Sequence, residues 1–484
     1  MKKLIIIVLS LAMILSVFAC SKNNGKKPSG TTDDQTTTPE ATTEEKYPLP
    51  IEDFGGADYR VSIMSEGTTK EFFAMEDSEV ATVSALFRRN MAVQDLYSVE
   101  ITPVITGATG LFGHTTAIVN SILSDTDEYD LVTAYAFAAG PLIMNTCLLD
   151  LKAQKNINLD ASYWLKEVND KFVIEDHLYT AVGDTSVYAL LYTYAMMFNR
   201  SEGDSAKITA EVFEKIDNKE WTIDYFNTLV SGFYSDIDDE TGRSANDFYG
   251  FQGETLTNLD NYSFAFDIPM MDNSGKNDKV LEFVYGGERL AAAVDKVNTL
   301  YWENNGSYVE GDHIYGFTQG RAMFATILLN DCFSYLKDMD DAYVIIPYPM
   351  LDEKQDGYRT GMMDNYHVMG IAKTTPAPDM VALITEALNY EAEKTLYPVY
   401  FEESLQSKYV RDERTVEMLN VLLDGRTADF GTLLQNNLDN ISIWFRWMIQ
   451  NKDRDSTTYV GNYYESVTAK VEAVVDKYRE GALG

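Results

Sequence analysis

The sequence predicts an α/β fold built as two lobes. Short apolar runs typical of strands alternate with longer runs typical of helices between residues 57 and 135, and this order predicts βαβ units and a mostly parallel sheet. The folded part, about residues 47–484, is too long for one simple core, so we expect two lobes, each a sheet flanked by helices. A content of 45% hydrophobic and 12% aromatic residues is typical of a globular chain.

The amino terminus has the layout of a secretory signal. Two lysines precede an apolar run over residues 4–15, and the segment closes with "VFAC", which ends at Cys20. These four residues resemble a bacterial lipobox, in which the cysteine becomes the lipid-bearing first residue of the mature chain. We therefore expect a signal peptide over residues 1–19 and a lipid anchor on Cys20. The alternative is an ordinary cleaved signal with an incidental cysteine.

Residues 20–46 form a threonine-rich stretch without an aromatic residue. Such a stretch cannot bury enough apolar area to offset the entropy of ordering it, so we expect a disordered tether. Together with the lipid anchor, it places the folded part at the extracellular face of the cytoplasmic membrane.

The net charge narrows the class of binding partner. The formal net charge of −36 argues against nucleic acid and anionic lipid head groups.

Beyond Cys20 the chain has only Cys147 and Cys332. Two buried thiols are the favoured interpretation and one disulfide is the alternative, because the spacing does not decide between them.

Three strands, "YRVSIMS", "VEITPVI" and "YDLVTAY", are predicted in the first part of the chain. A helix over residues 78–97 and another near residues 115–123 separate them. Parallel sheets bind ligands at the carboxyl ends of their strands. Tyr135 and Phe137 follow the third strand, so these two rings are the first candidates for ligand contact.

The next segment, "HLYTAVGDTSVYALLYTYAMMFN", predicts a strand up to Val182, an interruption over residues 183–186 and a second long strand. Gly183 gives backbone freedom, and Asp184 and its neighbours offer hydrogen-bonding groups, as expected where a chain passes between two lobes. A simple hairpin turn within one sheet is the alternative.

The collinear order of "ALFRRNMAVQDLYSVEI", "EYDLVTAYAFAAGPL", "GFTQGRAMFATIL", "YVIIPYPM" and "NYHVMGIAK" resembles the extracellular solute-binding proteins of carbohydrate-uptake ABC transporters, in the lipoprotein form of Firmicutes. The resemblance implies a type II periplasmic-binding-protein-like fold with a ligand cleft at the hinge. It also implies that the chain crosses between lobes at residues 183–186 and returns in the segment "GFTQGRAMFATILLNDCFSYL". On this basis the amino-terminal lobe comprises residues 55–183 and 328–398, and the carboxyl-terminal lobe comprises residues 186–327 and 399–484.

Sugar recognition requires aromatic rings for the C–H faces of a pyranose and fixed polar groups for its hydroxyls. Trp444 and Trp447 lie one helical turn apart, and the resemblance implies that one of them stacks on the sugar; burial in the lobe core is the alternative. The other candidate ligand contacts are residues at strand ends and at the two crossings. The candidate ligand contacts are Tyr135, Phe137, Asp184, Asn330, Asp331, Phe333, Asn365, Tyr366, Trp444 and Trp447.

Other residues are set aside. Trp164 and Trp221 begin helices and are expected to be packing anchors, whereas Trp302 is left open. The acidic stretch Asp236–Asp247 resembles a calcium loop, but Thr241 stands where such a loop needs glycine, so a solvated turn is the favoured interpretation.

No catalytic, metal or cofactor motif is found: the four histidines lack zinc spacing, and no G-x-S-x-G elbow occurs. The sequence therefore predicts a monomeric, non-enzymatic receptor that captures a sugar or oligosaccharide by lobe closure and delivers it to the permease subunits of an ABC transporter. A surface-anchored glycoside hydrolase is the alternative from another class, and a peptide or polyamine receptor of the same fold is the nearer one.

Overall fold

The structure is a computed structural model that describes residues 47–65, 71–238, 241–336, 339–405 and 413–482, except for the side chains of residues 111, 277, 333, 402–405 and 413. The expected signal peptide, Cys20 and the tether lie outside the described residues, as does the side chain of Phe333. The chain from Leu49 onward forms one compact unit. Within the described part, no helix combines the length and hydropathy that crossing a bilayer requires.

The described residues contain twelve strands in chain order. They are β1 (Ala57–Ile63), β2 (Val99–Ile105), β3 (Leu131–Tyr135), β4 (Tyr194–Asn199), β5 (Tyr234–Ser235), β6 (Phe248–Gln252), β7 (Met271–Asp272), β8 (Glu282–Phe283), β9 (Ser307–Tyr308), β10 (Ala322–Leu328), β11 (Tyr343–Ile346) and β12 (His367–Ile371).

Eighteen α-helices accompany these strands in the same described ranges. They are α1 (Ala81–Tyr97), α2 (Leu111–Leu123), α3 (Gly140–Met144), α4 (Lys166–Asn169), α5 (Tyr188–Leu191), α6 (Arg200–Ala206), α7 (Thr209–Asp217), α8 (Ile223–Ser231), α9 (Asn261–Ala265), α10 (Gly287–Asn298), α11 (His313–Thr318), α12 (Leu329–Asp331), α13 (Pro378–Leu405), α14 (Glu413–Asp424), α15 (Phe430–Leu433), α16 (Trp444–Gln450), α17 (Ser456–Gly461) and α18 (Tyr464–Ala482).

The first sheet has the strand order β12-β3-β1-β2. β1 is parallel to both β2 and β3, as the alternation of strands and helices predicts. β12 is antiparallel to β3, with His367 directly opposite Tyr135. α1 and α13 pack against each other beside this sheet.

The second sheet has the order β11-β4-β10-β6-β5, with β9 paired to β6. β10 is parallel to β6 and antiparallel to β4. The first six residues of β10, "AMFATI", are all buried, because both faces of this central strand are covered. The ring of Phe324 on β10 lies 4.9 Å from Phe198 and 5.7 Å from Trp221 between centroids, and Trp221 is fully buried. Its expected role as a packing anchor is confirmed.

The mixed α/β architecture with helix-flanked sheets agrees with the predicted fold class, but the route between the sheets differs from the expected one. After the interruption at residues 183–186 the chain forms α5 before β4, where one long strand was expected. Gly183 has no positive φ. A Cβ atom at this position would lie 2.2 Å from Oδ1 of Asn389. Close packing therefore explains the glycine better than backbone freedom does.

The return crossing lies later in the chain than the resemblance implied. β11 pairs with β4 in antiparallel register, so the chain remains in the second sheet after β10 and returns only between β11 and β12. Residues 343–346, which the predicted boundaries assign to the amino-terminal lobe, therefore belong to the second sheet. The carboxyl-terminal helix α18 also contacts the earlier part of the chain, since the Tyr179 hydroxyl donates to the carbonyl of Tyr478 over 2.8 Å.

Candidate functional site

The carboxyl ends of strands from both sheets are linked through the two crossings. At the end of β3, the N–H of Ala136 donates to the carbonyl of Tyr366, which precedes β12. In the crossings themselves, the N–H of Met363 donates to the carbonyl of Tyr192 over 2.8 Å. At the end of β10, the N–H of Leu329 donates to the carbonyl of Thr193 over 3.0 Å. Ligand sites in α/β folds form at such strand ends, so this junction is the candidate site.

Six rings are in successive contact along this junction, and we call them the aromatic cluster: Phe112, Phe137, Tyr135, His367, Tyr188 and Tyr192. The successive centroid distances are 5.3 Å, 6.0 Å, 4.3 Å, 6.0 Å and 5.0 Å. The cluster begins in the first turn of α2, follows the end of β3 and reaches α5 in the first crossing. It therefore connects the first sheet to the segment that leads into the second.

The cluster presents ring surface to solvent at one end and is buried at its centre. Phe112 is 46% exposed, whereas Phe137, which it contacts edge-on, is 8% exposed. Tyr135 is half-buried, and burial raises its pKa to about 12. Its hydroxyl makes no hydrogen bond to any described residue and remains a neutral donor. Tyr135 and Phe137, the first sequence candidates, are thus brought together with Phe112.

Acidic side chains follow the strands of the second sheet. Glu254 comes after β6 and Asp331 after the parallel β10, so both lie at the same edge. With Asp260, Asp364 and Arg446 they make up what we call the carboxylate–arginine group. Asp364 lies in the return crossing, and its carbonyl accepts from the N–H of Phe137 over 3.4 Å. That contact joins this group to the aromatic cluster.

Arg446 and Asp260 form a two-pronged ion pair inside the carboxylate–arginine group. Nε of Arg446 donates to Oδ1 of Asp260 over 2.9 Å, and Nη2 donates to Oδ2. The remaining nitrogen, Nη1, has no hydrogen-bond partner among the described residues. Planar guanidinium groups held in this way recognise further oxygen acceptors, so Nη1 is available to a ligand hydroxyl.

Three carboxyl groups of the carboxylate–arginine group are hard to ionise, and burial raises the pKa of Asp260 to about 7 despite its ion pair with Arg446. Burial raises the pKa of Asp364 to about 6, and Arg446 opposes this shift only in part. Burial, with Glu254 adding to it, raises the pKa of Asp331 to about 6 although its carboxylate accepts the N–H of Leu328 over 2.8 Å. The donor to the Asp364 carboxylate is its own backbone N–H. Asp364 and Asp331 each have one backbone donor and keep further acceptor capacity for a ligand hydroxyl.

Trp444 and Trp447 have different surroundings. Trp444 is 0% exposed, donates from its indole N–H to the carbonyl of Asp439 over 2.8 Å, and lies 5.1 Å from Tyr463 between ring centroids. Trp447 is partly exposed, has no ring contact within the described residues and directly follows Arg446. We therefore keep Trp447 as a candidate contact and leave Trp444 out, because its ring cannot reach a ligand.

The other sequence candidates are distributed around the junction. Asp184 is buried beside a small cavity of about 10 Å³, which it lines with Tyr397 and Arg426, a volume suited to one water molecule. Asn330 and Asn365 are partly exposed, and Tyr366 is buried. Asn330 and Asn365 remain proposed contacts, whereas Asp184 and Tyr366 have positions that suit the crossings better than a ligand surface.

Sequence patterns missed several site residues for an identifiable reason. Phe112 lies in the glycine-rich "GATGLFG", which carries no pattern typical of ligand binding. Arg446 lies between Trp444 and Trp447, the two candidate ligand contacts. Glu254, Asp260 and Asp364 are three of 75 acidic residues, so no local signal distinguishes them. Glu254 lies two residues after the end of β6, and this position could have marked it as a candidate. Recognising it would have required the exact end of that strand.

The remaining tryptophans and cysteines have structural surroundings. Trp164 is buried and donates to Oε2 of Glu386 over 2.9 Å, which confirms a packing role. Trp302 donates to the carbonyl of Ile449 and lies under the Lys452 ammonium. Cys147 and Cys332 are both free and buried, so the favoured interpretation of two buried thiols is confirmed. Burial raises the pKa of Cys147 to about 11.

The acidic stretch Asp236–Asp247 brings three carboxylates together. Oxygen atoms of Asp236, Asp238 and Asp247 lie within 4.8 Å of one another. Asp247, however, already accepts four protein donors, namely the N–H groups of Ile237 and Ser244 and the hydroxyls of Tyr234 and Tyr249. A carboxylate saturated in this way is typical of a hydrogen-bonded turn.

Several solved structures have a fold similar to that of this chain. UspC from M. tuberculosis is similar with a TM-score of 0.56 and 13% identity, over 86% of this chain and 100% of that one. The galacto-N-biose/lacto-N-biose I-binding protein of an ABC transporter from Bifidobacterium longum, in complex with lacto-N-biose, has a TM-score of 0.53 and 9% identity, over 88% and 98%. A family 1 extracellular solute-binding protein from Alicyclobacillus acidocaldarius has a TM-score of 0.51 and 14% identity, over 90% and 98%.

Neither a protein-family model nor a curated protein matches the sequence. The structural similarity covers nearly all of the solved chains; one of these three is named as an extracellular solute-binding protein and another as a sugar-binding protein of an ABC transporter. The fold class expected from the sequence is confirmed. The chain therefore has the α/β fold of these three solved proteins.

Proposed function

We propose that this protein captures a sugar or oligosaccharide between its two lobes and delivers it to the permease subunits of an ABC transporter. The observation that carries the proposal is the meeting of the aromatic cluster with the carboxylate–arginine group at the contact between Phe137 and Asp364. Aromatic rings suit the C–H faces of a pyranose, and fixed charged groups suit its hydroxyls. The lacto-N-biose complex of the Bifidobacterium longum protein supports a saccharide as the ligand class.

Capture requires free donors and acceptors as well as rings. The Tyr135 hydroxyl and Nη1 of Arg446 have no hydrogen-bond partners among the described residues. Each would lose hydration on lobe closure unless a ligand hydroxyl replaced the water. Closure over a saccharide is therefore favoured over closure of the empty cleft, and the permease would detect that shift in population.

The protein acts as a monomer at the extracellular face of the cytoplasmic membrane, held by a lipid on Cys20 and by the tether over residues 20–46. The lipobox-like "VFAC" supports the anchor. Replacing Cys20 with Ala should release the protein into the medium and abolish incorporation of labelled fatty acid. Retention of the variant in the membrane fraction would contradict the anchor without affecting the ligand proposal.

The ligand proposal is tested by thermal shift with residues 47–484 and a panel of mono- and oligosaccharides, amino acids, peptides and polyamines. A ligand at about 100 times its dissociation constant stabilises the folded state by about 2.7 kcal/mol. We expect a shift with at least one saccharide, which is recovered unchanged after incubation. Cleavage of that saccharide would identify a glycoside hydrolase and overturn the proposal.

A polyamine is the second candidate ligand. The carboxylate–arginine group has four carboxylates and one guanidinium, and a cation would relieve the resulting negative field. Shifts with polyamines alone, falling steeply with added salt, would favour this candidate over a saccharide.

A further inference from the structure

Glu71 joins three separate chain segments behind the aromatic cluster. It lies between β1 and α1, and its side chain is 0% exposed. Oε1 accepts the N–H of Tyr188 over 2.7 Å at the start of α5. Oε2 pairs with Nδ1 of His367 at the start of β12. One carboxylate therefore contacts the first crossing and the strand that follows the second crossing.

Ser186 closes the same network. Its hydroxyl donates to the carbonyl of His367 over 2.7 Å and lies 3.4 Å from Oε1 of Glu71. A buried carboxylate is tolerated only where several donors satisfy it, and here the donors come from both crossings. Loss of Glu71 would leave the N–H of Tyr188 and the ring of His367 without their partner.

The residues that Glu71 holds are members of the aromatic cluster. The His367 ring lies 4.3 Å from Tyr135 and 6.0 Å from Tyr188 between centroids, with Phe72 edge-on at 5.7 Å. The orientation of the His367 ring thus sets the surface against which Tyr135 rests. Glu71 itself is too deeply buried to contact a ligand.

Glu71 is in turn fixed to α1. Arg89, fully buried, donates from Nη1 to the carbonyl of Glu71 and from Nη2 to the carbonyl of Phe72, each over 3.0 Å. Asn90 donates to the same carbonyl of Phe72 over 2.9 Å. The carboxylate is therefore presented from a rigid element, as expected of a group that orients its neighbours.

We propose that Glu71 is a positioning residue for the ligand-binding surface, which holds Tyr188 in the first crossing and the His367 ring against Tyr135. The rings are then in place before a ligand arrives, and the ordering cost is not incurred on binding. The inference rests on the proposed function only in taking the aromatic cluster as the ligand surface. The positioning itself is a property of the ligand-free protein and is tested there.

The test compares three variants of residues 47–484. Glu71→Ala removes the carboxylate. Glu71→Gln keeps the shape, so its Oε1 still accepts from Tyr188 while an amide replaces the acceptor facing His367. Asp247→Ala is the matched control, because Asp247 is also buried and accepts several protein donors, all from the turn beside β6 and none from either crossing.

Two measurements separate positioning from general stability. Hydrogen exchange followed by mass spectrometry reports on the backbone of residues 183–192 and 364–369 relative to the rest of the chain. Ring ¹⁵N resonances report on His367, which is one of only four histidines and is assigned by its loss in His367→Asn. A residue that merely stabilises the fold would change exchange everywhere and would not alter one histidine selectively.

We expect Glu71→Ala to speed exchange at residues 183–192 and 364–369 by about tenfold or more, and Asp247→Ala to leave both segments unchanged. Glu71→Gln should retain slow exchange at Tyr188 and shift only the His367 resonances. Uniform acceleration in Glu71→Ala, or unshifted His367 resonances in Glu71→Gln, would overturn the proposal. If Glu71→Ala does not fold, the His367 resonances of Glu71→Gln still test the proposal. A failed saccharide panel would contradict the proposed function and leave this result standing.

Discussion

The rings of Tyr135 and His367 lie 4.3 Å apart, and the two residues are direct partners in the antiparallel pairing of β3 with β12. Tyr135 ends a strand early in the chain, whereas His367 begins a strand that forms only after the chain has visited the second sheet. The aromatic surface therefore depends on both crossings. A change that disturbs either crossing should affect ligand affinity even where it touches no ligand.

Phe112 offers the cleanest test of the aromatic cluster. Because it is 46% exposed, Phe112→Ala should cost only about 1 kcal/mol of stability. The loss of ring contact should weaken binding of the saccharide found in the panel by roughly 3- to 10-fold. Isothermal titration calorimetry measures the affinity, and urea denaturation measures the stability.

The matched control is Tyr464→Ala. Tyr464 has the same 46% exposure and lies 5.7 Å from Phe283 between ring centroids, so the lost packing is comparable. Its helix, α18, does not belong to the junction of strand ends. Equal loss of affinity in both variants would show that exposed rings matter generally and that Phe112 has no specific role.

The two tryptophans of α16 should separate stability from binding. Trp444→Ala empties a fully buried site and should cost about 3–5 kcal/mol. Trp447→Ala removes a partly exposed ring, should cost about 1 kcal/mol and should weaken saccharide binding. Chemical denaturation and calorimetry on both variants check this. Wild-type affinity in Trp447→Ala would remove Trp447 from the site.

The raised pKa of Asp364 predicts a pH-dependent gain from Asp364→Asn. The pKa is about 6 in the folded protein against 3.8 for a free carboxyl, so the folded state binds the proton more tightly and stability falls as pH rises between these values. Above about pH 7 the variant should be more stable than the wild type by about 1–2 kcal/mol, and below about pH 4 the difference should vanish.

Urea unfolding of wild type and variant across this pH range measures the effect. Asp58→Asn serves as the control, because it removes a carboxylate of the same kind from an exposed position on β1. A constant difference between Asp364→Asn and wild type at every pH would mean that desolvation of the Asp364 carboxyl is not its cause.

Metal removal tests the turn at Asp236–Asp247. Since Asp247 accepts four protein donors, we expect chelation by EDTA to leave the melting temperature within about 1 °C of its starting value. Differential scanning calorimetry with and without added calcium gives the answer. A fall of several degrees on chelation would instead assign a calcium site to this turn.

The sequence predicted the first sheet well because its strands are local, alternate with helices and follow one another in parallel order. It also placed Tyr135 and Phe137 at the end of β3, where they lie. The return crossing was predicted too early, because a strand such as β11 carries no sign of its partner. Pairing of β11 with β4 depends on contacts across more than a hundred residues.

The sequence by itself determined the fold class and the buried strands, since each depends on the composition or period of a short stretch, and the anchor at Cys20 stays a prediction from the same kind of local pattern. Only the tertiary structure decided which of two tryptophans is buried, which three of the many carboxylates join Glu254 and Arg446, and how Glu71 reaches Tyr188 and His367. These outcomes require side chains from distant segments to meet, and their energies depend on burial and on partners that no local pattern specifies.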